Sequence, residues 1–491
     1  MTGYLSTRND KKVISASQAI INGLAPDGGL YVPENLDDIK LDYHEVIQQD
    51  YQGMARMVFS KFFPDFDEET IERIISRSYT NKFSTDSITP LAKVGDGFVL
   101  ELYHGPTCAF KDVALSALPN LMTESLRIND FNDEILILTA TSGDTGSAAL
   151  YGFSDVPGTK IIVFYPEGGT SETQRLQMVT QTGKNTYATA VRGNFDDAQT
   201  GVKKLFQEIP KPCEGVSLSS ANSINIGRLV PQVVYYFSSY RQLLDMGEIE
   251  DGDRVNFVVP TGNFGDIMAG YLARQMGLPV GRLVCASNCN DVLKEFLATG
   301  HYNRKRPFHK TTSPSMDILV SSNLERLLYF VCGAERTKIY MDLLSKQGEY
   351  TITEEELAKI NEVFSGVACD DARGAKAIGD IFHQHHYLMD THTAIAWAAY
   401  EESKDAGEEW TKTGKTVVLS TASPYKFADS VLKALGEEPE ASDEANMSKL
   451  QKVTDVEAPK PLQGIFQREV RHKDVIDVDA MKSYVVEHAK L

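Results

Sequence analysis

The chain has 491 residues with 49 Lys+Arg against 68 Asp+Glu, a formal charge of −19, and is 42% hydrophobic and 24% charged. That length suggests roughly three domains and a core large enough to need no covalent staples. The acidic balance argues against a surface built to coat nucleic acid or anionic lipid, so any anionic ligand must be held by local groups.

Six dispersed cysteines, Cys108, Cys213, Cys285, Cys289, Cys332 and Cys369, form no Cys-x-x-Cys pair, which points to reduced thiols, a cytosolic setting and no metal. No run reaches the roughly 18 apolar residues of a membrane span, and the polar N-terminus suggests neither signal nor transit peptide. The terminal Ala489-Lys490-Leu491 faintly echoes a peroxisomal tripeptide but reads as the end of a helix.

Residues 1–88 are predicted as a helix-rich opening domain, with a helical run over 16–24 and a turn at Asp27-Gly28-Gly29. From about residue 97 short β-branched runs alternate with helical ones. Strands are predicted at 98–102, 135–139, 160–164, 255–259, 283–286 and 416–419, and helices at 111–126, 145–153, 195–208, 223–244, 266–276 and 425–435. Continuous apolar strands alternating with helices predict α/β sheets covered on both faces, with ligands at the strand carboxyl ends. The acidic, proline-broken stretch 436–462 reads as a connector before a C-terminal strand and helix.

Four strand-to-helix turns carry the chemistry. Thr141-Ser142-Gly143-Asp144-Thr145-Gly146-Ser147 combines glycines, hydroxyls and a helix start, a cradle for an anion. Gly262-Asn263-Phe264-Gly265-Asp266 forms a second cradle, with Asp266 placed as an N-cap or first-turn acid. In Ala109-Phe110-Lys111-Asp112 a lysine stands at a helix start, where the dipole favours the neutral amine that condenses with an aldehyde; a solvated surface lysine is the alternative reading of these residues alone. Ser420-Thr421-Ala422-Ser423 offers hydroxyls at a strand end. Asn222, Ser223 and Arg228 join amide, hydroxyl and guanidinium around one helix start, suited to phosphate. His383, His385, His386 and His392 lack the carboxylate or thiol of a familiar metal spacing and read as solvated helix-end residues.

These motifs, in this order, resemble those of the threonine synthases, fold-type II enzymes that use pyridoxal 5'-phosphate. The resemblance spans nearly the whole chain and includes Ser6-Thr7-Arg8, His104-Gly105-Pro106-Thr107 and Pro314-Ser315-Met316-Asp317. It implies two α/β sheet domains behind the N-terminal segment: a large cofactor-binding domain from 89–110 and 221–435, a smaller one from 111–220 with the substrate cradle, and a 436–491 extension.

The implied activity converts O-phospho-L-homoserine and water to L-threonine and phosphate; a phospho-lyase giving 2-oxobutyrate and a silent cofactor-binding protein are the alternatives. By the same resemblance Lys111, flanked by Phe110, would carry the cofactor and move protons. Gly262, Asn263, Phe264, Gly265 and Asp266 would hold its phosphate, and Thr421 its ring nitrogen. Ser142, Gly143, Asp144 and Thr145 would take the substrate carboxylate, and Asn222, Ser223 and Arg228 the leaving phosphate. The chain departs from the family at Ser423, often His, and at Thr391, often Pro. A cytoplasmic monomer or homodimer acting on a small molecule is expected.

Overall fold

Two parallel sheets organise the chain, and the computed structural model describes residues 3–491. The larger sheet has six strands in the order Phe364–Ala368, Val280–Ser287, Val255–Pro260, Lys415–Ser420, Gly97–Glu101 and Leu91–Val94. All its pairings are parallel except the last, between the two strands nearest the N-terminus. The second sheet is parallel throughout, in the order Val475–Asp477, Thr186–Arg192, Thr159–Pro166, Glu134–Ala140 and Val216–Ser220. Central strands such as Val255–Pro260 are buried along their whole length, which explains why their sequences run apolar without alternation.

All six predicted strands form. The strands over 186–192, 216–220 and 364–368 were not signalled, because Thr-Tyr-Ala-Thr-Ala-Val-Arg and Val-Ser-Leu-Ser-Ser carry too few apolar residues to read as core. Pairing within the sheet buries Thr189 and Ser219 nonetheless.

Three helix boundaries differ from expectation in ways that shape the site. The helix predicted over 111–126 is two, Lys111–Leu115 and Leu118–Ile128, because Pro119 fits a first helical turn but not an interior. The helix expected from residue 223 starts at Ile226, where the Asn225 side chain accepts the Gly227 N–H at 2.9 Å. Residues 222–224 therefore remain loop. Beyond the strand Lys415–Ser420, a 3₁₀ turn at Pro424–Phe427 precedes the helix Ala428–Ala434.

The N-terminal segment adds to its helices a three-stranded antiparallel sheet, Asn9–Ile14, Tyr4–Ser6 and Tyr31–Pro33. Arg8 ties it to the body through Glu325 at 2.8 Å, and Thr7 Oγ1 donates to the same carboxylate at 2.6 Å. The expected connector at 436–462 is folded: the helix Asp443–Thr454 packs on Ala428–Ala434, and Leu450 and Leu462 are fully buried. The chain then returns to the second sheet, where Val475–Asp477 becomes its edge strand. Among the described residues no helix is long and apolar enough to cross a membrane.

Candidate active site

One cavity gathers the turns at the carboxyl ends of both sheets. Its walls include Phe110, Lys111, Asp144, Thr145, Asn222, Ser223 and Arg228. They continue through Gly262, Asn263, Phe264, Gly265, Asp266 and Thr421. Ser142 and Gly143 are not among the lining residues. The Gly143 N–H is taken by Thr141 Oγ1 at 2.9 Å, and a Cβ on Gly143 would lie 2.5 Å from the Gln174 side chain, so that end of the turn backs onto protein.

Lys111 begins its short helix directly after a crossing of the two motifs that frame it: the Phe110 N–H donates to the Thr421 carbonyl at 2.8 Å, and Ala109 bridges to Ala422. The ammonium position lies 4.5 Å from the Phe110 ring centre and 3.7 Å from Asp144 Oδ2. Burial pulls the Lys111 amine down to about 8, with Asp144 opposing and the cations Lys426 and Arg228 reinforcing the shift. A lysine so placed gives up its proton more readily than an exposed one. Its neighbour Asp112 turns away to accept the Thr107 N–H and hydroxyl at 2.8 and 2.5 Å, locking the loop that precedes the helix.

The second cradle is held in an uncommon conformation. Phe264, at the N-cap of the helix Gly265–Met276, adopts the left-handed region (φ 61°), costly for a bulky residue and sustained here by its neighbours. Asn323 holds the turn by donating from its backbone and side-chain nitrogens to the Asn263 carbonyl at 3.0 and 2.9 Å, and Ser321 Oγ donates to the Gly262 carbonyl at 2.7 Å. The N–H groups of the first helical turn have no intrahelical acceptor, so the turn presents donors to the cavity. Gly262 is pressed against the segment bearing Ser315: a Cβ there would lie 2.5 Å from the Ser315 carbonyl oxygen. Gly262→Ala is accordingly expected to destabilise the fold by about 1–3 kcal/mol, read as a lowered midpoint in thermal or urea unfolding.

Asp266 is the first-turn acid of the helix Gly265–Met276, as expected, and Phe264 rather than Asp266 occupies the N-cap. The Asp266 carboxylate accepts the Tyr235 and Tyr236 hydroxyls at 2.5 and 3.1 Å on one oxygen, while Oδ2 is buried without a partner among the described residues. Burial raises this carboxyl to about 6 despite those donors.

Arg228 is a second cation lining the cavity. It is 2% exposed, donates from Nη1 to the Ala221 carbonyl at 2.5 Å, and its Nε has no partner among the described residues. Burial lowers the guanidinium to about 10, so it remains charged at neutral pH. A buried guanidinium without a carboxylate contact is a strong anion ligand. The Ser223 Cβ lies 3.6 Å from the Cβ position of Gly265, so the loop 222–224 and the glycine cradle are neighbours.

Sequence reasoning missed several lining or supporting side chains. His392, expected to be solvated, is buried in the cavity wall: Ser315 N–H donates to Nε2 at 3.2 Å, and Nδ1 pairs with the N-cap residue Asp390 at 2.9 Å. That pattern makes Nε2 the acceptor and Nδ1 the protonated nitrogen. Its place directly after Asp390 and Thr391, at a helix start, was the available signal. His383 and His385, at the end of the helix Asp371–His385, and His386 just after it are exposed as expected. Gln232 and Met316 also line the cavity. Lys426 Nζ lies 2.7 Å from Asp144 Oδ1, and Gln174 Nε2 donates to the same oxygen at 2.8 Å. Burial alone would raise the Asp144 carboxyl; Lys426 and Lys111 hold it far below the usual range. Asp144 is thus an engaged anion, and any carboxylate binding at this turn falls to its hydroxyls and free N–H groups.

Comparison with known proteins follows the same motifs. Residues 3–79 match the family model "Threonine synthase N terminus", 89–421 match "Pyridoxal-phosphate dependent enzyme", and 393–485 match "Threonine synthase, C-terminal". The chain is 38% identical over 442 residues to the threonine synthase of Pseudomonas aeruginosa, covering 89% of this chain and 91% of that protein. Its fold is similar to that of a pyridoxal-phosphate-bound threonine synthase from Brucella melitensis (TM-score 0.87, 36% identity, 100% of both chains). It is also similar to the yeast threonine synthase structure (TM-score 0.88, 33% identity, 100% of this chain and 99% of that one). By its cavity, its fold and these relatives, the chain belongs to the threonine synthase family of pyridoxal-phosphate-dependent enzymes.

Proposed function

We infer that the protein converts O-phospho-L-homoserine and water to L-threonine and inorganic phosphate. The observation that carries this reading is a single cavity offering one lysine whose amine is lowered by burial, a glycine cradle at a helix N-terminus, and a separate buried guanidinium with no carboxylate contact among the described residues. A catalyst acting on a phosphorylated substrate with a phosphorylated cofactor needs those two anion sites.

The residues fit pyridoxal 5'-phosphate: an amine for its aldehyde, a turn of N–H donors for its phosphate, and the Thr421 hydroxyl at the strand end for its ring nitrogen. When bound, this group supplies an electron sink for bonds broken beside the substrate amine. Thr421 is neutral, so it leaves that sink weaker than a carboxylate would. Lys111 would anchor the cofactor, and its Nζ, when free, would take protons from the substrate Cα and Cβ. It would deliver protons to Cγ, which becomes the methyl group, and back to Cα, while water adds at Cβ and its remaining proton leaves with the phosphate. Asp144, 3.7 Å from that nitrogen, steadies the amine when it carries the proton. Asn222, Ser223 and Arg228 hold the phosphate, and Arg228 contributes most as charge builds on the departing group. The Thr145 end of the first cradle receives the substrate carboxylate.

Residues 89–110 and 221–435 are assigned to a cofactor domain and 111–220 to a substrate domain, a division supported by the two sheets, with 436–491 extending across both. Six unpaired thiols support a reducing compartment such as the cytosol. Incubating purified protein with O-phospho-L-homoserine tests the activity. Threonine and phosphate in equal amounts are expected; 2-oxobutyrate with phosphate would show a phospho-lyase instead, and no phosphate release would overturn the reading.

A further inference from the structure

Lys426 is the most deeply buried ammonium near the cavity, its side chain 0% exposed, although it is not among the lining residues. Its nitrogen donates to the Thr107 carbonyl at 3.0 Å and pairs with Asp144 Oδ1 at 2.7 Å, and its own carbonyl accepts Ser171 Oγ at 3.2 Å. Lys426 follows the last strand of the larger sheet, whereas Asp144, Ser171 and Gln174 belong to turns and helices of the second sheet. The ammonium is therefore a strap between the two sheets.

The carboxylate it grips is shared. Asp144 Oδ1 is occupied by Lys426 and by Gln174 Nε2, leaving Oδ2, at 3.7 Å, for Lys111. Gln174 is itself fixed, because its Oε1 accepts the Ser171 N–H at 3.2 Å in a capping box. With two donors holding Oδ1, Asp144 cannot swing to close a short ion pair with Lys111. The remaining charged or titratable groups facing these three are Arg228 and Asp266 toward Lys111, His392 toward Asp144, and Asp112 and Cys108 toward Lys426.

We propose that Lys426 is a positioning residue for the reaction: by holding Asp144 it prevents a tight Asp144–Lys111 pair and so leaves the Lys111 nitrogen able to give up its proton. The inference rests on the assignment of Lys111 as cofactor anchor and base. The physical reason is electrostatic. Where two cations share one buried carboxylate, the partner at 2.7 Å is held more strongly, and its repulsion of the more distant cation offsets part of the attraction that cation feels from the carboxylate. Removing Lys426 would release the whole carboxylate to Lys111 and stabilise whatever positive charge the Lys111 nitrogen carries, whether as free amine or in its link to the cofactor.

The test is a pH titration of the holoenzyme's visible cofactor band together with the pH profile of kcat/KM. Lys426→Met is expected to keep the band but raise both its titration midpoint and the acid limb of kcat/KM by roughly one to two pH units. Lys426→Arg, which keeps the charge, should stay near the wild-type midpoints. A Lys426→Met band that titrates as in the wild type would overturn the proposal, as would an equal shift in Lys426→Arg, which would indicate a packing role. If Lys426→Met does not fold, Lys426→Gln is read by the same titrations and judged the same way. Survival of the visible band in Lys111→Ala would instead sink the assignment of Lys111, a failure distinguishable from that of Lys426.

Discussion

Lys111→Ala is expected to remove the visible absorption of the purified protein and, with it, threonine formation. Lys111 is the lysine that lines the cavity, and it is buried beside Phe110 and Asp144 with its amine lowered to about 8. Loss of a positioned acid–base group alone costs roughly 10²–10⁴-fold in rate, and the variant also loses the covalent anchor. Absorbance spectra and a coupled phosphate-release assay read the two effects separately. A yellow, active Lys111→Ala protein would refute the site. Because the side chain is buried, the comparison should include a thermal melt, so that collapse of the fold is not mistaken for loss of chemistry.

Arg228→Ala should act differently. Among the described residues its guanidinium hydrogen-bonds the Ala221 carbonyl and keeps an unpartnered Nε, so its removal breaks little of the fold but takes a cation from the cavity wall. A hydrogen bond to a charged group is worth about 1.5–3 kcal/mol, which corresponds to roughly 10- to 150-fold in kcat/KM for O-phospho-L-homoserine. The cofactor band should persist. If the variant instead purifies colourless and regains colour only with added pyridoxal phosphate, the two anion sites are reversed, with Arg228 serving the cofactor. The adjacency of Ser223 to Gly265 makes this the discriminating measurement at the site.

Much of this arrangement was legible in the chain. Glycine- and hydroxyl-rich turns after apolar strands are local devices: Gly262 is required by contact with Ser315, and Thr141 Oγ1 accepts the N–H groups of Gly143 and Gly146 two and five residues on. Strands such as Val255–Pro260 and helices such as Phe195–Glu208 were evident from continuous apolar character or helical period. The strand Val216–Ser220 was not, since Ser219 and Ser220 are buried only once the strand packs beside Glu134–Ala140. His392 and Lys426 were missed for a related reason. Polar side chains flanked by helix-start or turn residues look solvated in a linear reading, and only the approach of distant segments, carrying Ser315 to one and Asp144 to the other, makes them interior.

The sequence by itself therefore determined which residues could do chemistry and the turns on which they stand, because backbone conformation in a turn depends on contacts within a few residues. The tertiary structure decided their charge states and which of them work together. Those depend on desolvation and on Coulomb interactions at a few ångströms, between groups such as Lys111, Asp144 and Lys426 that lie far apart along the chain. A formal charge of −19 foretold none of it: Arg228 and Lys111, the cations that line the cavity, owe their properties to burial and near neighbours, not to the net charge of the surface.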